Sequence, residues 1–168
     1  MVIIMKKTIL LGPGGHAEVV LDIIKNNKKI EVVGFTDKIY TAKKSNKSYQ
    51  VLGTDEILAE LYKNQKAKFA FITVGSSGDN TLRQKLYNKI NQIGFKNLNI
   101  FHSESIIADS VQFGQGNLTT AGCIINPNVE MGNNNIINTG SIIEHDCTIG
   151  NHTHIAPGAI LAGNVIIE

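Results

Sequence analysis

The spacing of apolar residues changes near the middle of the chain. Up to about residue 103 they come in short blocks, separated by stretches with helical periodicity. Residues 8–11 (TILL) form an apolar run that predicts a strand, and GPGGHA (12–17) predicts a turn after it. In residues 18–27, Val19, Val20, Ile23 and Ile24 are spaced as on one face of a helix. Residues 31–37 (EVVGFTD) predict a second strand, ending at Asp37. Residues 54–64 predict a helix with Thr54 as N-cap. Residues 67–75 predict a buried strand, 80–94 a helix closed by Gly94, and 98–101 a last strand. Strands alternating with helices predict a parallel sheet joined by crossovers, a small Rossmann-like α/β domain.

From Ile107 the rhythm is six. Cut into hexads, the first position reads Ile107, Phe113, Thr119, Ile125, Met131, Ile137, Ile143, Ile149, Ile155, Leu161 and Ile167. Ten of these eleven are large and apolar, and the register runs without an insertion. The fifth position holds small to medium residues, Cys123 and Cys147 among them. A strict period of this kind predicts a β-helix, in which each hexad supplies a short strand and a corner. The two cysteines then fill core positions, with Asn and Gly suited to the corners. The pattern divides the chain into an α/β domain over residues 1–103 and an all-β domain over 104–168. The hexads cut from Ile107 make little more than three coils and stop two residues into a new one. The expectation is therefore a β-helix that is incomplete at its C-terminal end.

Charge follows the same division. Residues 1–103 carry all 16 Lys and Arg against 8 acids, a net +8, whereas residues 104–168 carry 6 acids and no Lys or Arg. The basic half could attract a phosphate-bearing ligand, or simply present a solvated lysine surface. Its basic residues lack the aromatic interleaving and the recognition motifs of a nucleic-acid binder. No apolar run approaches the roughly 20 residues of a membrane span, and residues 1–12 lack a signal-peptide layout, so a cytoplasmic protein is expected. The two cysteines have neither metal-ligand spacing nor the density of a disulfide framework.

Two stretches carry candidate chemistry. Gly12, Gly14 and Ala17 fit a loose glycine fingerprint between strand and helix, and Asp37 follows 25 residues after Gly12. Such glycines let a backbone approach a phosphate at a helix N-terminus, and an acid ending the second strand can bind a ribose. They equally make a tight turn. About 100 residues suit a mononucleotide better than a dinucleotide. The second stretch, SIIEHDCTIGNHTHIA (141–156), holds His145, His152 and His154. His145 occupies the third place of its hexad, outside the core register. Neutral imidazole suits a general base for acyl transfer, and an adjacent carboxylate can fix its tautomer.

The hexads resemble the left-handed β-helix of hexapeptide acyltransferases. Together with LLGPGGHAEVVLDII, GFTD and INTGSIIEHDCTIGNHTHIAPGAILAGNV, they make nearly the whole chain similar to one family. These are the bacterial sugar acetyltransferases of the sialic-acid O-acetyltransferase and UDP-4-amino-sugar N-acetyltransferase type. The resemblance implies transfer of acetyl from acetyl-CoA, without a metal, to a nucleotide-activated amino sugar or a sialic acid-type sugar. It also implies a homotrimer. It assigns His145 as base, Asp146 as its partner, and Asn138 as a further active-site position, counted with the substrate-binding residues. His154 and Gly163 fall to the acetyl-CoA site, the glycine N–H holding the thioester carbonyl. Gly12, Gly14, Gly15, His16 and Asp37 fall to the nucleotide sugar. Glu144 is less certain, and His152 has no counterpart in the pattern. Two other readings remain open: a zinc site built from His145, His152 and His154, as in β-helix carbonic anhydrases, and a non-catalytic sugar-nucleotide-binding scaffold.

Overall fold

A computed structural model describes residues 5–39, 49–76 and 78–168, so residues 1–4 of the apolar start lie outside the described residues. The chain divides into two compact units. One comprises Met1–Gly75 with Lys85–Leu98, the other Ser76–Gln84 with Asn99–Glu168.

The first unit holds a five-stranded parallel sheet of β1 (Lys6–Leu11), β2 (Ile30–Thr36), β3 (Val51–Gly53), β4 (Phe69–Ile72) and β5 (Lys96–Asn97). The strand order is β3-β2-β1-β4-β5. Residues of β1 have neighbours on both sides, and Ile9, Leu10 and Leu11 are completely buried. Helix α1 (Gly15–Ile24) begins inside the glycine motif and buries Ala17, Val20, Leu21 and Ile24, one stripe at i, i+3, i+4 and i+7. The stripe is displaced by one position from the expected one, and Val19 is left exposed. Helix α2 (Leu58–Lys63) follows, then α3 (Thr81–Ile93), of which residues 85–93 belong to this unit and 81–84 to the second. Leu58, Leu86 and Ile90 pack with Ile9, Leu11 and Phe95 in one aliphatic core.

Several expectations need correction here. The helix expected over 54–64 begins as a 3-10 turn, Asp55–Ile57, and Thr54 makes no side-chain capping bond. Strands β3 and β5 carried no clear signal. The strand expected at 98–101 does not extend this sheet: β5 lies earlier, and Ile100–Phe101 pairs with Leu118–Thr119 in the second unit. Gly94 does close α3, with φ of 103° and its N–H bonded to the Ile90 carbonyl.

The second unit contains three parallel sheets of four strands each. On the first face Ile100–Phe101, Leu118–Thr119, Ile136–Ile137 and His154–Ile155 stack in register. The second face stacks Ile106–Ile107, Ile124–Ile125, Ile142–Ile143 and Ile160–Leu161. The third stacks Gln112–Phe113, Glu130–Met131, Thr148–Ile149 and Ile166–Ile167. Each coil supplies one strand to each face, so the described residues make four coils rather than little more than three. The coils begin one hexad before Ile107, at Phe101, whose ring packs 4.7 Å from that of Phe113.

First-position residues point inward. Ile125, Met131, Ile137, Ile143, Ile149 and Ile155 are buried around Cys123, Val129 and Cys147. Burying such a side chain contributes about 1.5–3 kcal/mol each. Both cysteines are fully buried and unbridged.

Corners fall at the fourth position. Gly116, Gly122, Gly140 and Gly158 take φ between 68° and 76°, and Asn128, Asn134, Asp146, His152 and Asn164 take φ between 57° and 64°. Glycine, Asn and Asp tolerate this left-handed conformation best, which explains the composition of the corners. At the fifth position a ladder of amides stitches coil to coil. Asn117 and Asn135 each accept from the backbone N–H one coil on, at 2.9 Å and 2.7 Å, and each donates to a glycine carbonyl at 2.9 Å.

Candidate active site

Strand Ile142–Ile143 delivers His145 and Asp146 to the corner between the second and third faces. The backbone N–H of Asp146 donates to the Pro127 carbonyl, and that of Asn164 donates to the His145 carbonyl, so the corner is tied to the coils on both sides. Asp146 holds φ of 61°. His145 Nδ1 donates to Asp146 Oδ2 at 2.6 Å, and the Asn128 side-chain amide donates to Asp146 Oδ1 at 3.0 Å. These two bonds, that from His145 the stronger, hold the Asp146 carboxyl below the usual carboxylate range. The carboxylate therefore only accepts, the Nδ1 proton is fixed, and Nε2 carries the lone pair of the neutral ring.

Gly163 occupies the equivalent place one coil on. A Cβ there would lie 2.8 Å from both Cε1 and Nε2 of His145, so the imidazole fits only over a glycine. His145, Asp146 and Gly163 thus form one cluster. Glu144 lies just before it and accepts from Asn126 at 3.0 Å.

Asn138 and His154 form a second cluster. Asn138 lies at the corner between the first and second faces, and His154 stands on the first face. The Asn138 amide nitrogen is 3.0 Å from His154 Nε2, while Asn138 Oδ1 accepts from the Thr139 N–H at 2.9 Å. His154 Nδ1 donates to the Ser76 carbonyl. The second face separates this corner from that of His145.

The zinc arrangement is not assembled. His145 pairs with Asp146, His154 with Asn138 and Ser76, and His152 Nδ1 with the Asn134 amide at 2.8 Å. Among the described residues no group of three His, Cys, Asp or Glu could hold a metal ion.

In the first unit, the glycine turn leaves the C-terminal end of β1, where β2 and β4 lie on opposite sides. Open α/β sheets bind ligands at such a switch point. Thr73 Oγ1 clamps the turn from the carbonyls of Leu11 and Gly12, at 2.8 Å and 2.7 Å. Gly12 is required structurally: its φ is 99°, and a Cβ would meet Val74 at 2.5 Å. Gly14 and Gly15 have no heavy atom within 4 Å of a Cβ position, so nothing in the protein demands glycine there. His16 is half-buried in the first turn of α1, against Gly75. Asp37 follows β2, its N–H bonded to the Gly53 carbonyl at 3.2 Å.

Comparison with known proteins agrees with both halves. Residues 7–90 match the PglD N-terminal domain, and residues 128–163 match the bacterial transferase hexapeptide of six repeats. The solved structure of PerB from Caulobacter crescentus, in complex with CoA and GDP-perosamine, is 34% identical with a TM-score of 0.84. The match covers 95% of this chain and 73% of that one. The chain belongs to the PglD-like family of bacterial sugar acetyltransferases. It is an acyltransferase, and its coils are those of a left-handed β-helix. The acetyltransferase domain of PglB from Neisseria gonorrhoeae, in complex with acetyl coenzyme A, is 25% identical with a TM-score of 0.83. That match covers 97% of this chain and 76% of the other. No curated protein gives a significant sequence match. Among the described residues no helix is long and apolar enough to cross a membrane.

Arg83, Asn80, Ser76 and Asn134 escaped the sequence reading of this PglD-like chain. Arg83 is only 2% exposed, and its guanidinium donates to Asn134 Oδ1 at 2.7 Å. Residues 80–94 read only as a helix closed by Gly94, and an arginine near its start carries no sign of burial. Asn134 looked like any corner residue.

Proposed function

We propose that this PglD-like enzyme transfers acetyl from acetyl-CoA to the amine of a nucleotide-activated amino sugar for surface glycan synthesis in the cytoplasm. The observation that carries the reading is the His145–Asp146 pair seated on Gly163. Its ring has Nδ1 fixed by a carboxylate and Nε2 left as the base, over a backbone with no side chain in the way. The relatives that bind CoA with GDP-perosamine favour N-acetylation of a nucleotide-linked amino sugar over O-acetylation of a sialic acid.

In this reading the acceptor amine attacks the thioester carbonyl carbon as His145 Nε2 takes its proton. Asp146 stabilises the imidazolium that forms. The Gly163 N–H stabilises the oxyanion, in a contact made closest in the tetrahedral state. That state collapses as the C–S bond breaks, and the proton passes from Nε2 to the departing thiolate. Gly14 and Gly15 receive the acceptor's diphosphate at the start of α1, with Gly12 shaping the turn and His16 and Asp37 flanking it. Asn138 and His154 serve the acetyl-CoA side.

The placing of the two clusters supports a homotrimer. They lie at the two corners that bound the second face, so one chain does not bring them together. That face carries a stripe of outward isoleucines, Ile106, Ile124, Ile142 and Ile160, of which Ile106 is 67% and Ile160 68% exposed. Copies packed through this stripe would set His145 of one against His154 of the next. The test of the function is thiol release from acetyl-CoA, screened against GDP- and UDP-linked 4-amino sugars and against sialic acids. Release that depends on an amino sugar supports the reading, and release with none of the acceptors overturns it.

A further inference from the structure

Residues 76–84 belong to the β-helix unit, although they lie far from it in sequence. Among the described residues, these hydrogen bonds fasten the strap. The Asn80 side-chain amide donates to the His152 carbonyl at 2.6 Å, and Arg83 donates to Asn134 Oδ1 at 2.7 Å. The Ser76 carbonyl accepts from His154 Nδ1. Asn134 and His152 occupy the same corner in successive coils, and His154 begins the strand that leaves it.

We propose that Arg83 is a positioning residue for His154: it clamps the strap so that the Ser76 carbonyl fixes His154 as its Nδ1–H tautomer. The kinetic consequence rests on the acetyl-CoA role proposed above for Asn138 and His154.

The argument begins with burial. A guanidinium that is 2% exposed has lost its hydration, which pushes its pKa down to about 10. A buried charge persists only where hydrogen bonds hold it, so Arg83 is tied to its place. Its acceptor is equally constrained. Asn134 sits at φ of 57°, donates through Nδ2 to His152 Nδ1 at 2.8 Å, and so turns Oδ1 toward Arg83.

A carbonyl oxygen can only accept, so His154 Nδ1 carries the proton. That is the less populated tautomer of a free imidazole in water, and it needs an acceptor held against it. With Nδ1 protonated, Nε2 accepts from the Asn138 amide. If the strap loosens, His154 reverts to Nε2–H and two donors face each other. Asn138 must then turn, and it loses the bond from the Thr139 N–H to its Oδ1. One arginine thereby controls the orientation of two side chains that it does not touch.

The test is the imidazole 15N spectrum of His154, assigned with His154→Gln, in the free wild-type protein and in Arg83→Met. The expected result is a pure Nδ1–H tautomer in the wild type and a shift toward Nε2–H in the variant. Asn80→Ala, which removes a different fastening and leaves the buried arginine in place, should shift the tautomer in the same direction. Arg83→Lys, which keeps a cationic donor, should restore part of the wild-type signal. In turnover, Arg83→Met should raise KM for acetyl-CoA roughly fivefold to tenfold, the effect of one lost hydrogen bond, and by more than kcat falls. An Nε2–H or averaged ring in the wild type overturns the inference, as does an unchanged tautomer in both Arg83→Met and Asn80→Ala. The spectrum is read without substrate, so it decides this point even if no acceptor is turned over.

Discussion

A Cβ placed on Gly163 would lie 2.8 Å from both Cε1 and Nε2 of His145. The imidazole therefore rests on the bare backbone of the next coil. Gly163 is not among the residues with positive φ, so alanine fits its backbone. The ring is the free end of a side chain, and it is the part that must move. Gly163→Ala should then displace the proposed base, His145, while leaving the coil folded. We expect kcat to fall about 10²-fold, as small misplacements of reacting groups do, with the melting temperature nearly unchanged. Circular dichroism melts alongside acetyl-CoA turnover would check both halves.

Asp146 takes the proton side of His145 and sits at φ of 61°, which asparagine also tolerates. Asp146→Asn should fold normally. It removes the charge that stabilises the imidazolium and allows the wrong tautomer, so kcat should drop by about 10²–10⁴. Because the carboxyl is held below its usual range, it stays ionised through weakly acid pH. The variant should therefore be slower across pH 6–8 rather than only at one end, which a pH–rate profile would show.

The glycine turn separates into two kinds of position. Gly12→Ala meets Val74 at 2.5 Å with φ of 99°, and should lower the melting temperature. Gly14 has open space around it and an ordinary φ of −78°. Gly14→Val should keep its stability and lose affinity for a nucleotide diphosphate sugar by tenfold or more, measured by calorimetry. Equal affinity in variant and parent would remove the turn from the acceptor site.

The β-helix was legible because one constraint repeats. Each hexad turns its first position inward and bends at the fourth, so a single phase describes the whole array from Ile107 onward. The hexad at Phe101 was missed because FHSESI puts Glu104 at the corner, where every later hexad has Ser, Gly, Asn, Asp or His, and its phenylalanine is 40% exposed. In the α/β unit, strands β3 and β5 are three and two residues long, too short to show alternation. The His145–Asp146 hydrogen bond was readable because the two residues are adjacent in sequence. The Ser76–His154 and Arg83–Asn134 contacts are not local. They depend on the chain returning to the β-helix over residues 76–84, which no periodicity signals.

Burial, and then the charge of Arg83, hold the His152 imidazole below its ordinary value of 6.5. The unfolded chain takes up that proton more readily than the folded one. The contribution is therefore fully present above about pH 6.5 and is lost as pH falls through the lower folded value. His152→Asn, which suits the left-handed corner, should flatten the dependence of melting temperature on pH between 7 and 5. An unchanged slope would mean that other groups cause it.

The isoleucine stripe predicts assembly. Light scattering should give three times the chain mass, and Ile160→Lys, which puts a charge on the 68% exposed end of the stripe, should give monomers with reduced turnover. A monomeric wild type at micromolar concentration would contradict the trimer.

The central claim is that His145 is the base for acetyl transfer to an amino sugar. It is tested most directly by acetyl-CoA turnover with an identified nucleotide-linked amino sugar, comparing the wild type with His145→Ala. Position three does not fill the core, so the variant should fold and bind the acceptor as the parent does. The account predicts a fall in kcat of about 10²–10⁴ with acceptor affinity retained. Undiminished turnover by the folded variant would contradict it.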